Sequence, residues 1–556
     1  MTSLPDWLAA ELPAPFEDML LAGTAGRDHL LRAAAMAEVA ADQVQGTARE
    51  AWAHRRLGLL ASAFEEDSLH GPTAAALTGA LSDAAASAVR ADPAFAVLLE
   101  TLARTFRIPE NTAYYQRLVA AGDARRIEAY LENECRGRHG LFWLHVALRR
   151  DILSRNFDRG LAHIALALPE ALAPLADKLR ADLALLAGRP GEALALYERS
   201  LAMAPRPLGR FRAGLAARAA GEDAAARAHF AATLAAMPEH VSAALALYDL
   251  VAGRDKASAA LPPSVAIALY TYNKGADLDA TLASLFASAL GQARVTVLDN
   301  ASADATPDVL AAWVDRVGTG RLATIRLPVN IGAPAARNWL AAVPRVGEAD
   351  FVAYLDDDVD LPADWLPRLF AAMRAYPEAG VWGCRVADTG NPAVAQGVGA
   401  MLVPGKTCGD APSLPWLGTA HAESFDFGAF THLRPCLSVM GCCHLFRGER
   451  LRAAGGFDIR YSPSQYDDVD HDLRLALSGR PPVYQGHLVV GHRRPAPVFA
   501  PPKPDQQAGG EANLHKLLAK HRDRFTELGD GMRRCAREDL IAKWGELTDT
   551  AESDEA

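Results

Sequence analysis

Between residues 264 and 376, short apolar runs alternate with helical stretches, and each run stops at a polar motif. Runs at 264–270, 295–298, 323–327 and 351–355 have the length and composition of buried strands, while 279–289, 306–314, 335–343 and 363–376 carry apolar residues at helical spacing. Few folds satisfy such a pattern. Strand–helix alternation predicts a mainly parallel sheet with helices on both faces. Open sheets of this kind bind ligands beyond the carboxyl ends of their strands, where the polar motifs fall. Tyr272-Asn273-Lys274 follows the first strand, and Asp299-Asn300-Ala301-Ser302-Ala303-Asp304 starts at the end of the second. Asn330, Gly332, Arg337 and Asn338 follow the third, and Asp356-Asp357-Asp358 ends the fourth.

Each motif suggests a chemistry. Asp356 and Asp358 can converge on one ligand where the chain turns at a strand end. Crowded carboxylates repel and raise one another's pKa unless a cation lies between them, and a hard divalent ion such as Mg²⁺ or Mn²⁺ suits oxygen ligands. The competing reading is a solvated acidic turn. Asp299 can accept a hydrogen bond from a base N–H, and Arg337, near a helix start, can pair with diphosphate oxygens.

The rest of the chain reads differently. Residues 1–255 are Ala- and Leu-rich, which favours helix. From about residue 181 a repeat appears: Gly188, Tyr197, Leu201 and Pro205 recur 33 residues later as Gly221, Phe230, Leu234 and Pro238. This helix–Gly turn–helix–Pro unit resembles the tetratricopeptide repeat, one residue short of its usual period of about 34. Two clear units cannot close a solenoid, so less regular helices upstream are expected to complete it. The groove of such an array suits an acceptor or protein partner, a plain helical spacer being the alternative. A polar linker at 255–263 separates it from the alternating region. Beyond residue 380, irregular Gly-, Pro- and aromatic-rich sequence reads as substrate-shaping loops, 511–546 as amphipathic helix, and 548–556 as an unstructured acidic tail.

Composition excludes several classes. Charged residues make up 22% and the net charge is −10, so the chain is no generic nucleic-acid binder. Seven cysteines in 556 residues form neither a disulfide scaffold nor zinc-ligand spacing. No signal peptide is expected at the N-terminus, and no apolar run reaches the roughly 18 residues of a membrane span. The expectation is a cytoplasmic protein, with peripheral attachment to the inner face of the membrane compatible with it.

Taken in order, these motifs resemble glycosyltransferase family 2. The family's opening Pro-Thr-Tyr-Asn-Arg is matched by Tyr270-Thr271-Tyr272-Asn273-Lys274, its Asp-Asn-x-Ser-x-Asp-x-Thr by Asp299, Asn300, Ser302, Asp304 and Thr306, and its Asp-x-Asp by Asp356 and Asp358. The acceptor-side block is matched by Gly455, Gly456, Phe457 and Asp458, then Asp467, Asp468, Asp470, Arg474 and Gly479. Tyr270 replaces the usual Pro, and Asp467 the usual Glu.

The resemblance implies an α/β GT-A (Rossmann-like, mainly parallel sheet) catalytic domain over 262–500. It would follow an N-terminal helical region (1–125) and tetratricopeptide-like repeats (126–255), with C-terminal helices and tail at 501–556. It implies inverting transfer from a nucleoside-diphosphate sugar to a protein or surface-glycan hydroxyl. Donor binding would fall to Tyr272, Asn273, Asp299, Asn300, Ser302, Asn330, Gly332, Arg337, Asp356 and Asp357. A Mn²⁺ or Mg²⁺ ion would be held by Asp356, Asp358 and His492, with His487 and His444 as weaker candidates. Asp468 would be the general base and Asp467 the runner-up, helix capping being the bland alternative for both. Asp470 reads instead as an i,i+4 ion pair with Arg474. Trp382 and Trp416 could stack on a sugar or pack in the core. The rivals from other classes are a catalytically inactive scaffold on the same domains and a metal-free glycoside hydrolase working through two carboxylates.

Overall fold

The structure is a computed structural model that describes residues 4–82, 92–405, 416–418, 424–500 and 503–555, with Trp416 and 551–555 as backbone only. It divides into two units, one of residues 1–251, 420–429 and 547–556, the other of 252–419 and 430–546. No helix among the described residues is long and apolar enough to cross a membrane, and the six described cysteines are free thiols.

The first unit is helical. Its repeat reaches further upstream than residue identity reveals. Helix pairs Ala113–Ala120 with Ala124–Cys135, Gly140–Leu153 with Phe157–Ala167, Ala173–Leu186 with Pro190–Met203, and Gly209–Ala220 with Asp223–Ala236 follow one another, and Val241–Val251 closes the series. A left-handed residue turns the chain within each pair: Gly122 (φ 66°), Arg155 (φ 54°), Gly188 (φ 76°) and Gly221 (φ 79°), each 33 residues after the last. Arg155 hides one of these turns from a search for glycine, since a side chain at positive φ is uncommon. Alanines 181, 184, 193, 213 and 216 let the helices approach closely around buried Tyr197 and Leu201. Tyr197 donates to Asp182 Oδ1 (2.5 Å), which satisfies its buried hydroxyl.

The second unit is α/β. Strands β1 (Val265–Thr271), β2 (Arg294–Asp299), β3 (Leu322–Arg326) and β4 (Phe351–Leu355) are the four expected ones. They are joined by β5 (Val359–Asp360), β6 (Val381–Asp388), β7 (Ala395–Gly397), β10 (Leu433–Pro435), β11 (Cys443–Arg447) and β12 (Val483–His492), while β8 (Met401–Val403) and β9 (Trp416–Gly418) form a separate pair. The main order is β10-β12-β6-β11-β4-β1-β2-β3, with β5 on β12 and β7 on β6. Strands β4, β1, β2 and β3 are parallel, β11 runs antiparallel between β4 and β6, and β12 is parallel to β6. The helical N-terminal half and the mainly parallel α/β domain are the architecture expected from sequence.

The order in which strands are added switches at β1, with β2 and β3 on one side and β4 on the other while all four stay parallel, and that is where a ligand crevice opens. Leu269 lies opposite Leu355 and Thr271 opposite Asp299, so the motifs that follow emerge side by side. The core beneath contains Ile267, Val297, Leu355, Trp365 and Trp382, all at 1% exposure or less.

Two expectations need correction. Sequence beyond residue 380 is not only loops, because β6, β11 and β12 are interior strands of the main sheet. Their apolar runs are broken by Gly383, Arg385, His444 and Gly486, which disguises them. The acidic tail is helical: the helix Phe525–Glu555 continues through it, with no Gly or Pro after Gly545 to stop propagation.

Candidate active site

The loops beyond β1, β2 and β3 are fastened to one another by the motif residues themselves. Asn273 turns the chain at φ 53°, its N–H donating to Ser302 Oγ (2.9 Å) and its Oδ1 accepting from Ala303 N–H (2.7 Å). Asn300 donates to Asn330 Oδ1 (2.9 Å) and accepts from Ile331 N–H (2.9 Å). Asp304 accepts from Gly275 and Thr306. Gly332 sits at φ 81°, and a Cβ there would come 2.9 Å from Ser462 Oγ, so only glycine fits. Asn273, Asn300, Ser302, Asn330 and Gly332 thus shape the crevice. Asp299 accepts from Ser302 N–H through Oδ1 (2.8 Å), while Oδ2 makes no hydrogen bond and has only Arg326 Nε at 3.5 Å. Tyr272 is 46% exposed beside them.

At the end of β4, Asp356, Asp358 and His492 each present one ligand atom within 4.8 Å of the others. His492 reaches the group because the end of β12 pairs with β5 immediately after the acidic motif. Its Nε2 is 3.1 Å from Asp358 Oδ1, and its Nδ1 is 2.8 Å from Gln396 Oε1. An amide oxygen can only accept, so with an ion between Nε2 and the carboxylates Nδ1 would carry the proton and leave Nε2 as a ligand. Lys274 donates to Asp358 Oδ2 (2.5 Å) and lies 3.3 Å from Asp357. Burial would raise Asp358, but His492 and Lys274 outweigh it and hold the carboxyl below its usual range. Burial pushes Asp357 up to about 6. Two carboxylates and an outward-facing imidazole nitrogen form a donor set that fits Mn²⁺ or Mg²⁺.

Arg337 is not turned outward towards a diphosphate. It is 4% exposed, ion-paired with Asp467 and 3.4 Å from Asp356 Oδ1, and it lies over the rings of Tyr270 (5.2 Å) and Phe457 (5.3 Å). Tyr270, which stands where the family has Pro, donates to Asp356 Oδ1 (3.1 Å). Arg337 therefore joins the carboxylate at the end of β4 to the one that opens helix Asp467–Leu477. Asn338 secures the same wall by exchanging two hydrogen bonds with the Phe457 backbone (2.7 and 2.8 Å).

The two carboxylates that open helix Asp467–Leu477 have different surroundings. Asp467 is 2% exposed and committed to Arg337, and burial raises its carboxyl against the pull of that guanidinium. Asp468 is half-buried and accepts from Gly441 N–H (2.9 Å) through Oδ2. A Cβ at residue 441 would lie 2.7 Å from that oxygen. Asp470 is ion-paired with Arg474 (3.1 Å) and also with Lys520 and His521, which ties this helix to helix Pro504–His521. His444 lies among Tyr354, Phe446 and Phe457, and neither His444 nor His487 belongs to the ligand cluster. Trp382 is a core residue donating to Tyr376 O (3.2 Å), and the Trp416 side chain lies outside the described residues.

Sequence reasoning missed Lys274 as the counter-ion of Asp358, Gln396 behind His492, and Gly441 beneath Asp468. Only Gly441, a glycine just before a strand, gave a signal.

Residues 266–434 match the family model described as Glycosyl transferase family 2. The chain carries a family 2 glycosyltransferase domain. It is 28% identical over 284 residues to an N-acetylglucosaminyl-diphospho-decaprenol L-rhamnosyltransferase of Mycobacterium tuberculosis, covering 48% of this chain and 84% of that one. It is 29% identical over 205 residues to the O-antigen biosynthesis protein RfbC of Myxococcus xanthus, covering 36% of this chain and 15% of that protein. Among solved structures, it is similar to the mannosyltransferase PcManGT from Pyrobaculum calidifontis in complex with GDP-Man and Mn²⁺ (18% identity, TM-score 0.36, 55% of this chain and 83% of the other). GalNAc-T7 with UDP, GalNAc and Mn²⁺ is a second such structure (14% identity, TM-score 0.34), with 41% of this chain and 44% of the other covered. The family 2 match ends before Asp467, Asp468 and His492, so their roles in this glycosyltransferase are argued from geometry.

Proposed function

We propose that this glycosyltransferase moves a sugar with inversion from a nucleoside-diphosphate sugar to a hydroxyl of a protein or surface glycan, with Mn²⁺ or Mg²⁺ held by Asp356, Asp358 and His492. The observation that carries this reading is the pair of carboxylate sites bridged by Arg337: a ligand cluster beyond β4 and a half-exposed Asp468 at a helix start. The bound ion would supply positive charge for the departing diphosphate. Asp299 would accept from the base through Oδ2, which makes no hydrogen bond within the chain. Asp468 removes the acceptor proton as the hydroxyl oxygen attacks the anomeric carbon, and the bond to the diphosphate breaks with its electron pair leaving on oxygen. Gly441 N–H holds Asp468 in position. Asp467 is the poorer base because its oxygen is engaged by Arg337.

The test incubates the full chain with a panel of nucleotide sugars and measures released nucleoside diphosphate. At least one donor should turn over, slowly without acceptor. Asp468→Asn should bind that donor normally yet transfer about 10²–10⁴-fold more slowly. Unchanged transfer by Asp468→Asn, or a greater loss from Asp467→Asn with its fold intact, would overturn the assignment of the base. A cytoplasmic setting, peripheral to the membrane, fits a nucleotide-sugar donor.

A further inference from the structure

The helical unit includes a stretch from the second half of the sequence, residues 420–429. Its described part, Ser424 to Ala429, lies against the first helices of successive repeat pairs. Phe425 faces the Arg149 guanidinium at 5.5 Å, Phe427 covers that of Arg212 at 3.7 Å, and the Gly428 carbonyl accepts from Arg218 (2.8 Å). Arg149 is on helix Gly140–Leu153, and Arg212 and Arg218 are on Gly209–Ala220. Lys178, Leu179 and Asp182, on the intervening first helix, line the same groove, with about 100 Å³ of free space, together with Ser424, Phe425 and Phe427. The segment therefore follows the array from one repeat to the next.

Both sides are shaped for this contact. Arg149, Asp182 and Leu215 occupy equivalent positions at the 33-residue period, and Leu215 and Arg218 are the side chains nearest Gly428. Arg212 is 2% exposed, held by Glu66 (3.0 Å) and Asp182 (3.6 Å), so its face is preset for an aromatic ring. Within the segment, Asp426 accepts from Gly428 N–H (2.6 Å) and Gly428 adopts φ 102°. That local turn presents both phenylalanines to the groove.

We propose that this groove is a peptide receptor for an aromatic–acidic–aromatic–glycine sequence, and that its ligand is the chain's own Phe425-Asp426-Phe427-Gly428, bound in cis. Repeat arrays bind extended segments through equivalent positions on successive units, and here covalent attachment keeps the ligand at high effective concentration. Gly428 is 13 residues before Gly441, which holds Asp468. Any outside chain that enters this part of the groove must displace the resident one.

The test needs no catalysis. A labelled peptide of residues 424–429 is titrated by fluorescence anisotropy against the full-length wild type and full-length Phe425→Ala/Phe427→Ala. The variant, whose own ligand is disabled, should bind the peptide at least tenfold more tightly than wild type, and a peptide with both phenylalanines changed to alanine should bind neither. Equal binding to both proteins, or binding to neither, would overturn the proposal. Should the double variant not fold, Arg218→Ala provides a second measurement. Amide hydrogen exchange within 425–428 should accelerate at least tenfold while helix Gly209–Ala220 stays protected, and unchanged exchange would overturn the proposal equally.

Discussion

Replacing Arg337 by methionine tests whether the bridge between the two carboxylate sites holds the catalytic unit together. Methionine fills much of the volume and contacts Tyr270 and Phe457, but it leaves Asp467 (2% exposed) without its counter-ion and removes the cation beside Asp356. Removing one partner of a buried pair costs about 3–5 kcal/mol, because the other charge remains desolvated. That is a large share of a typical domain stability of about 5–15 kcal/mol. Urea unfolding followed through exchange of the β4 and β11 amides reads this unit separately. Arg337→Met/Asp467→Asn should recover much of the loss, since the orphaned charge is gone. The deficit of the single variant should also shrink as pH falls from 8 to 5. Without Arg337 the buried carboxyls titrate higher in the folded state than in the unfolded one, so the folded state takes up protons and gains stability on acidification. A loss below about 1 kcal/mol, or a double variant no better than the sum of its singles, would refute the bridge.

Asp358→Asn should abolish turnover with the fold intact, as chelation should in wild type, and full activity in excess chelator would remove the metal assignment. Lys274→Gln frees Asp358 Oδ2 of its present cation, so Mn²⁺ titrated by electron paramagnetic resonance should bind at least as tightly as to wild type, and weaker binding would contradict a competing role for the lysine. Gly441→Ala places a Cβ 2.7 Å from Asp468 Oδ2 and should lower kcat by about tenfold or more while donor affinity by calorimetry is unchanged. His240 is 2% exposed, accepts at Nδ1 from Ala243 N–H, and is lowered by burial to about 3 from 6.5. It binds its proton only on unfolding, so the helical unit keeps this stability above pH 6.5 and loses about 2 kcal/mol of it by pH 5; melting curves at the two pH values should separate less in His240→Gln.

The strand-end side of the crevice was legible because it is local. Each motif follows its own strand directly, and strand period and length announce the strand. The side formed by helix Asp467–Leu477 and the end of β12 was less so. Asp467 meets Arg337 across 130 residues of sequence, and His492 meets Gln396 across 96. Nothing in either residue's neighbourhood names its partner. Strands β6, β11 and β12 were obscured because their sheet neighbours are distant in sequence and glycine, histidine and arginine interrupt their apolar runs. The repeat was half-seen for a related reason. Glycine marks a positive-φ turn, but the backbone conformation is what recurs, and at position 155 it recurs with arginine.

The charges of the finished site make a case that no single motif carries. Asp356, Asp357, Asp358, Asp467 and Asp468 cluster here, and Lys274 and Arg337 are the cations paired with them among the described residues. Arg337 is buried and committed, and Lys274 already lies on Asp358. A diphosphate approaching this arrangement alone meets excess negative charge at short range, where the low-dielectric walls strengthen repulsion. Donor and divalent ion should therefore bind together, each tightening the other by the same factor, because linkage between two ligands is reciprocal. The same logic gives Lys274 a place in the cycle: it neutralises Asp358 when no other cation does, and it is long enough to follow the incoming phosphate once one arrives. Arg337 has no such freedom, and under the proposed function its pairing with both Asp356 and Asp467 should keep Asp468 in register with the strand-end carboxylates through that exchange.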